Sequence, residues 1–223
     1  MFDWTNALTA SSHRASPLDL LVLLFGLSLL PLLAVATTSF TRIIVVLGLL
    51  RAALGTPALP PNSVIAALAI MLSALVMSPT AIRIQHQAYE PYAAHKLSMS
   101  AALARGASEL ERFMLRQTRR SDIAAFERYA KPSANATSRV AAAPSFAVVA
   151  PAFMVGELRA AFAMGFAFAL PFAAIDIIVA AVMMSLGMFM VSPTSVALPI
   201  KLLFFVAADG WAVVCGSLIQ SFR

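Results

Sequence analysis

Residues 146–222 carry five charged side chains, Glu157, Arg159, Asp176, Lys201 and Asp209, and are otherwise dominated by Ala, Val, Leu, Ile, Phe and Met. A stretch that long with so few charges leaves few ways to fold. A compact globule of 223 residues that is 61% hydrophobic and 12% charged would expose aggregating apolar patches, since soluble domains hold about 45–50% apolar and about 25% charged residues. Lipid, or a large apolar interface with partner chains, must cover the excess. The expected class is therefore an all-α integral membrane protein.

The formal net charge of +6 would permit nucleic-acid binding, but its distribution argues against that partner. Residues 80–145 hold ten basic and five acidic side chains, so one polar insert accounts for five of the six net charges. The chain divides into an N-terminal helical hairpin (1–79), a small polar helical insert (80–145) and a C-terminal hydrophobic helical hairpin (146–223). About four hydrophobic segments are expected, as bent hairpins. Residues 18–36 and 64–82 have the length a bilayer needs, and Pro60-Pro61-Asn62-Ser63 is a helix-start signal for the second. Residues 43–54 are apolar but too short to span, and read as part of a bent or interfacial helix. In the C-terminal block Pro171 predicts a kink in a helix over 146–186, and Gly187, Pro193 and Pro199 mark a break before a second helix near 198–221. The first apolar run has a small-residue motif, Ala34-Val35-Ala36, and weak basic flanking at His13-Arg14, as in a secretion signal. Its length favours a retained helix.

Short loops set orientation. Residues 37–61 carry Arg42 and Arg51 and no acid, which places this loop in the cytoplasm. Alternation then puts the insert and both termini outside it, since long segments count little in the positive-inside rule. Within the insert Leu103, Ala107, Leu110, Phe113 and Met114 form a stripe at helical spacing. Ser121-Asp122 reads as an N-cap for a helix over 123–130. A basic amphipathic helix can bind anionic lipid, but a small helical domain with a solvated face has the same pattern.

Enzyme chemistry finds no support. There is no HExxH, no GxSxG and no phosphate-binding glycine loop, and the single Cys215 excludes an intrachain disulfide or zinc cluster. No cofactor and no metal are expected. A polytopic secondary transporter or channel is the rival class, since broken helices are common there, but no inverted internal repeat is visible. Gly156, Ala160, Ala163 and Ala167, with Gly165 and Ala169 separately, recur at helical spacing and let helices approach closely in lipid.

The motifs carry a resemblance. Ala36-Thr37-Thr38-Ser39-Phe40-Thr41-Arg42-Ile43 and Leu49-Leu50-Arg51-Ala52-Ala53-Leu54-Gly55 resemble the first cytoplasmic segment of the FliP/SctR (YscR/HrcR) family. Pro60-Pro61-Asn62, Met77-Ser78-Pro79, the Arg112 to Arg119 run and Pro151-Ala152-Phe153 continue it. Leu170-Pro171-Phe172, Met184-Ser185-Leu186-Gly187-Met188, Leu198-Pro199-Ile200-Lys201-Leu202 and Asp209-Gly210-Trp211 complete it over roughly 20–222. The resemblance implies a multi-pass protein of the bacterial inner membrane, a core pore-forming subunit of a type III export gate. It implies a pentamer of this chain with FliQ/SctS-type and FliR/SctT-type partners, passing unfolded polypeptides. A retained N-terminal helix favours the injectisome branch over the flagellar one.

Site expectations follow. In the family three consecutive Met seal the pore, which maps the gasket to Met188, Phe189 and Met190, with Phe189 departing from the pattern. Flexible thioethers suit a seal that must close on itself and yield. Met183 and Met184 are expected to fill core gaps on a helix. A charge at mid-bilayer costs about 2.5–3.5 kcal/mol, so Glu157, Arg159, Asp176, Lys201 and Asp209 each need a partner or water. Glu157 and Lys201, on the two C-terminal helices, are expected to pair within or between subunits, with snorkelling as the alternative.

Overall fold

The computed structural model describes residues 17–56, 58–130 and 145–222, and among these the regular structure is helical throughout. The helices are α1 (Pro17–Thr37), α2 (Phe40–Leu54), α3 (Asn62–Ala93), α4 (Met99–Gln117), α5 (Arg120–Tyr129), α6 (Phe146–Ser185), α7 (Pro193–Ala207) and α8 (Gly210–Gln220). Two of them, α3 and α6, are long and apolar enough to cross a membrane, and two bent pairs pass the same test, so two to four spans are available. The His13-Arg14 flank and residues 131–144 lie outside the described residues.

Most of α1 forms a compact unit of its own, over residues 1–35. Leu21, Leu24, Phe25 and Leu32 are all more than 60% exposed on it, a pattern that suits a helix covered by lipid. The remaining residues, 36–223, form the second unit.

That unit is organised by α2 lying against α6, its most extensive helix contact. On α2, Ile43, Val46, Leu47, Leu50 and Leu54 are buried at spacings of three and four, one face of the helix. They meet Ile65, Ala69 and Leu72 of α3, Ala161 and Phe172 of α6, Phe205 of α7 and Val214 and Leu218 of α8. Gly55 ends α2 in the left-handed region (φ 78°), its N–H bonded to the Ala52 carbonyl at 3.1 Å. On α6 the buried seam runs Val149, Phe153, Glu157, Ala161, Gly165, Phe172, Val179, Met183. Gly165 is where α2 comes closest: a Cβ there would lie 2.3 Å from Leu49 Cδ1 and 2.9 Å from Leu49 Cβ. In lipid, where burial brings no hydrophobic gain, such approach supplies the dispersion that holds helices together. Of the small residues singled out from the sequence, Gly165 and Ala169 flank the α2 side, whereas Ala163 and Ala167 are exposed within this chain.

Several sequence expectations shift. The helix expected over 146–186 is present as Phe146–Ser185 and continues through both Pro151 and Pro171. The break after Gly187 is shorter than expected, because α7 begins at Pro193 and contains Pro199. A second break, at Ala208–Asp209, divides what was read as one helix. Residue 80 lies inside α3, which continues through a π-helical turn at Gln85–Tyr89 to Ala93. The insert is joined to the membrane helices through a second small core of Phe113 and Met114 on α4 with Val149 and Phe153 on α6. On α4 the buried face holds Ala102, Glu109, Phe113 and Met114, whereas Leu103 and Ala107 are exposed. Glu109, fully buried and paired with Arg83 and Arg112, takes a place on that face. α5 starts at Arg120, so Asp122 sits in its first turn and is not a cap.

Candidate functional site

Two features of the second unit bear on function: a set of charge pairs locking the helices, and an exposed apolar loop at the end of α6.

Arg42 anchors the first. It lies on α2 one turn after Ser39, on the helix face turned toward α6, and is only 6% exposed. Its Nε donates to Glu157 Oε2 at 2.8 Å and its Nη2 to Glu157 Oε1, a two-pronged pairing with a carboxylate that is fully buried. Its Nη1 donates to the carbonyl and the hydroxyl of Ser221, each at 3.0 Å, and its guanidinium lies 3.9 Å from the centre of the Phe222 ring. Gln117 of α4 donates to the Phe222 carbonyl at 3.1 Å. One buried arginine thus gathers α2, α6 and the residues following α8. Arg42, expected among the cytoplasmic-loop cations, is helical here and paired with Glu157. Arg51, on the last turn of α2, donates to Asn62 Oδ1 at 2.6 Å and the Pro60 carbonyl at 3.2 Å, and so keeps an uncompensated charge.

Lys201 anchors a second lock. Its Nζ donates to Asp176 Oδ2 at 2.6 Å and to the Ala53 carbonyl at 3.1 Å, tying α7 to α6 and to the end of α2. Within this chain Glu157 and Lys201 are therefore not brought together; each has taken another partner. The reason is geometric, since Glu157 lies in the N-terminal third of α6 while Asp176 lies nineteen positions further along the helix, opposite α7. Arg159 pairs with Asp122 of α5 at 2.8 and 3.0 Å. Asp209 stands exposed at the α7–α8 break. Sequence reading missed the Glu109 cluster, in which the fully buried carboxylate accepts from Arg83 at 3.1 Å and from Arg112. The Glu109–Arg112 spacing of three was its only signal.

The second feature follows α6. Gly187 adopts φ 75°, its N–H bonds Met184 O at 3.1 Å, and Met188 N–H bonds Met183 O at 3.0 Å. These two bonds form the Schellman termination, which a glycine permits because it lacks a Cβ. Pro193 opens α7 at its first turn, where no N–H is needed. Between them Met188 is 43%, Phe189 79% and Met190 99% exposed. Met183 packs with Val179 and Ala197 and fixes the base of this loop, whereas Met184 is exposed at 58% and does not fill the core as expected. An apolar loop tip this bare, on a chain whose α6 also presents Phe162, Phe166, Ile177 and Ile178, awaits a covering surface.

Comparison with known proteins agrees with this architecture. The FliP family model matches residues 23–218. The chain is 48% identical over 203 residues to the flagellar biosynthetic protein FliP of Pectobacterium carotovorum subsp. carotovorum, covering 91% of this chain and 77% of that protein. It is 44% identical to its counterpart in Caulobacter vibrioides, over 92% and 76% of the two chains. With the Bacillus subtilis protein of the same name it shares 39% identity across the whole of both. A helical membrane architecture, the ordered motifs and a match over most of its length place this chain in the FliP family.

Proposed function

We propose that this chain is a core pore-forming subunit of a flagellar type III export gate in the bacterial inner membrane, helping unfolded substrate proteins cross it. The observation that carries this reading is the FliP-family match over 23–218, made with relatives named for flagellar biosynthesis. That naming moves the preference from the injectisome, favoured by the N-terminal helix, to the flagellum. The exposed Met188-Phe189-Met190 loop supports a seal built from several copies, since apolar side chains at a loop tip gain cover only from neighbours. The partners are further copies of this chain, in a pentamer, with subunits of the FliQ/SctS and FliR/SctT types, and secreted polypeptides as substrate. Membrane lipid covers what remains exposed.

Coexpression with these two partners tests the reading. A detergent-purified complex of this chain with both, its mass determined intact, is expected. A homo-oligomer that excludes both partners, in a strain where all three are made, overturns the proposal in favour of a self-sufficient transporter or channel. Restoration of motility to a flagellated strain lacking its own FliP separates the flagellar assignment from the injectisome one.

A further inference from the structure

The break between α7 and α8 has the features of a joint. Residues 193–220 together are apolar enough to count as one membrane span, yet the two helices are bent by 63°. Only Ala208 and Asp209 interrupt them. Asp209 stands at φ 47°, ψ 49°, a left-handed conformation that Asp tolerates and most side chains avoid. Gly210 follows because the Phe205 ring lies over it: a Cβ there would meet three ring atoms at 2.1 to 2.8 Å. The same ring packs edge-on against Trp211, centroids 5.3 Å apart, across the elbow. Beside the elbow is a cavity of about 140 Å³ lined by Leu50, Phe172, Phe204, Phe205, Val213 and Val214.

The placement of Asp209 explains the bend. In a continuous helix over 193–220 it would occupy the seventeenth of twenty-eight positions, deep within an apolar rod, where a carboxylate is costly. At the elbow it is exposed and makes no capping bond. We propose that residues 193–220 form a two-position joint set by residue 209. The exposed, left-handed Asp209 holds the bent form, and a helix-forming apolar residue there selects a straight rod. The straight rod, about 42 Å long, would cross a hydrocarbon core of about 30 Å. The bent form cannot cross as one helix, so the joint decides whether this segment spans the bilayer or folds back toward α3, with Val214 and Leu218 in the core.

Spin labels at exposed Ser195 and Gln220, in the full chain with Cys215→Ser in lipid nanodiscs, read the joint directly. From helix rise and the bend, backbone separation is about 31 Å bent and about 37 Å straight. With Asp209 present the short distance should dominate. Asp209→Leu should shift the population to the long one, and Asp209→Ala covers the case in which the larger side chain prevents insertion. A long distance in the parent chain, or the short one retained by both variants, overturns the proposal.

Discussion

Arg42 and Glu157, separated by 115 positions, close on each other through two hydrogen bonds in a site where both side chains are buried. A buried pair adds little net stability relative to apolar packing, but removing one partner leaves an uncompensated charge, at a cost of about 3–5 kcal/mol. Arg42→Ala is expected to fall at the upper end, because it also releases the Ser221 carbonyl and the face of Phe222. Exchange of the two charges should restore little, since a glutamate at 42 cannot donate to that carbonyl. Thermal unfolding in detergent checks both; a full rescue by the exchange would mean that the pair alone matters.

The Lys201–Asp176 lock predicts an asymmetry. Lys201 has a side chain 8% exposed, whereas that of Asp176 is 41% exposed. Deleting the lysine leaves a carboxylate whose side chain is partly exposed, although its Oδ1 is buried without a hydrogen bond. Deleting the aspartate leaves a nearly buried ammonium held only by the Ala53 carbonyl. Asp176→Ala should therefore destabilise more than Lys201→Ala. Equal losses would argue that the Ala53 contact, absent only from the lysine variant, carries comparable weight. A double-mutant cycle between Glu157 and Lys201 in the isolated chain should show coupling near zero.

Packing at Gly165 leads to a contrast between two glycines. Gly165→Ala drives a methyl into Leu49, whose Cβ cannot swing aside, and overpacking of this kind costs about 1–3 kcal/mol. Gly48, mid-way along α2, has nothing within 4 Å of its Cβ position, so Gly48→Ala should stabilise by about 0.5–1 kcal/mol through helix propensity. Adding Leu49→Ala to Gly165→Ala should recover part of the loss. Melting temperatures that move the same way for both glycine variants would contradict the close approach of α2 and α6.

What could be read from the sequence was length and periodicity. The apolar runs near 18–36 and 64–82 became α1 and α3 because a run of that length has few alternatives, and Pro60-Pro61 marked the start of α3. Partner choice was less legible. Glu157 was matched to Lys201 by adjacency of helices, but pairing depends on level along α6, which sequence does not encode. Arg42 read as a cytoplasmic cation on a bent or interfacial segment, and its partner Glu157, 115 positions away, left no local signal. The break at Asp209 was missed since no glycine or proline precedes it, and an aspartate in the left-handed region looks like any other polar residue. The gasket loop was found through family motifs; its exposure follows from Gly187 and Pro193, which were visible punctuation.

Orientation rests on the short basic segment between α1 and α3. Arg42 is paired with Glu157 in the folded chain, and Arg51 keeps an uncompensated charge. Periplasm-active reporters fused at Ala134, outside the described residues, and after residue 223 should be active. Arg51→Glu should reduce both activities several-fold. An inactive fusion at Ala134 with normal expression would reverse the assignment.

The seal gives the last prediction. Met188, Phe189 and Met190 sit on a loop whose two ends are fixed independently, by the Schellman bonds at Gly187 and by Met183 packed against Ala197. Phe189 and Met190 project from the chain with little internal contact, while Met188 is 43% exposed. Replacing all three with Ala should therefore leave the fold and assembly intact while removing the apolar bulk that several copies bring together. A narrow apolar ring blocks ions by excluding water, and widening it admits them. Cells making the triple-Ala variant with the partner subunits should leak small ions and become sensitive to small molecules that the parent excludes. Phe189→Met should be mild, since it exchanges a rigid ring for a flexible side chain of similar volume. Met183→Ala should instead lower yield through a cavity between α6 and α7, at a cost of about 2–5 kcal/mol, without a leak. Met184→Ala, at an exposed position, should do neither within the isolated chain. If the triple-Ala complex assembles and its conductance stays at the parent level, these three residues are not the barrier.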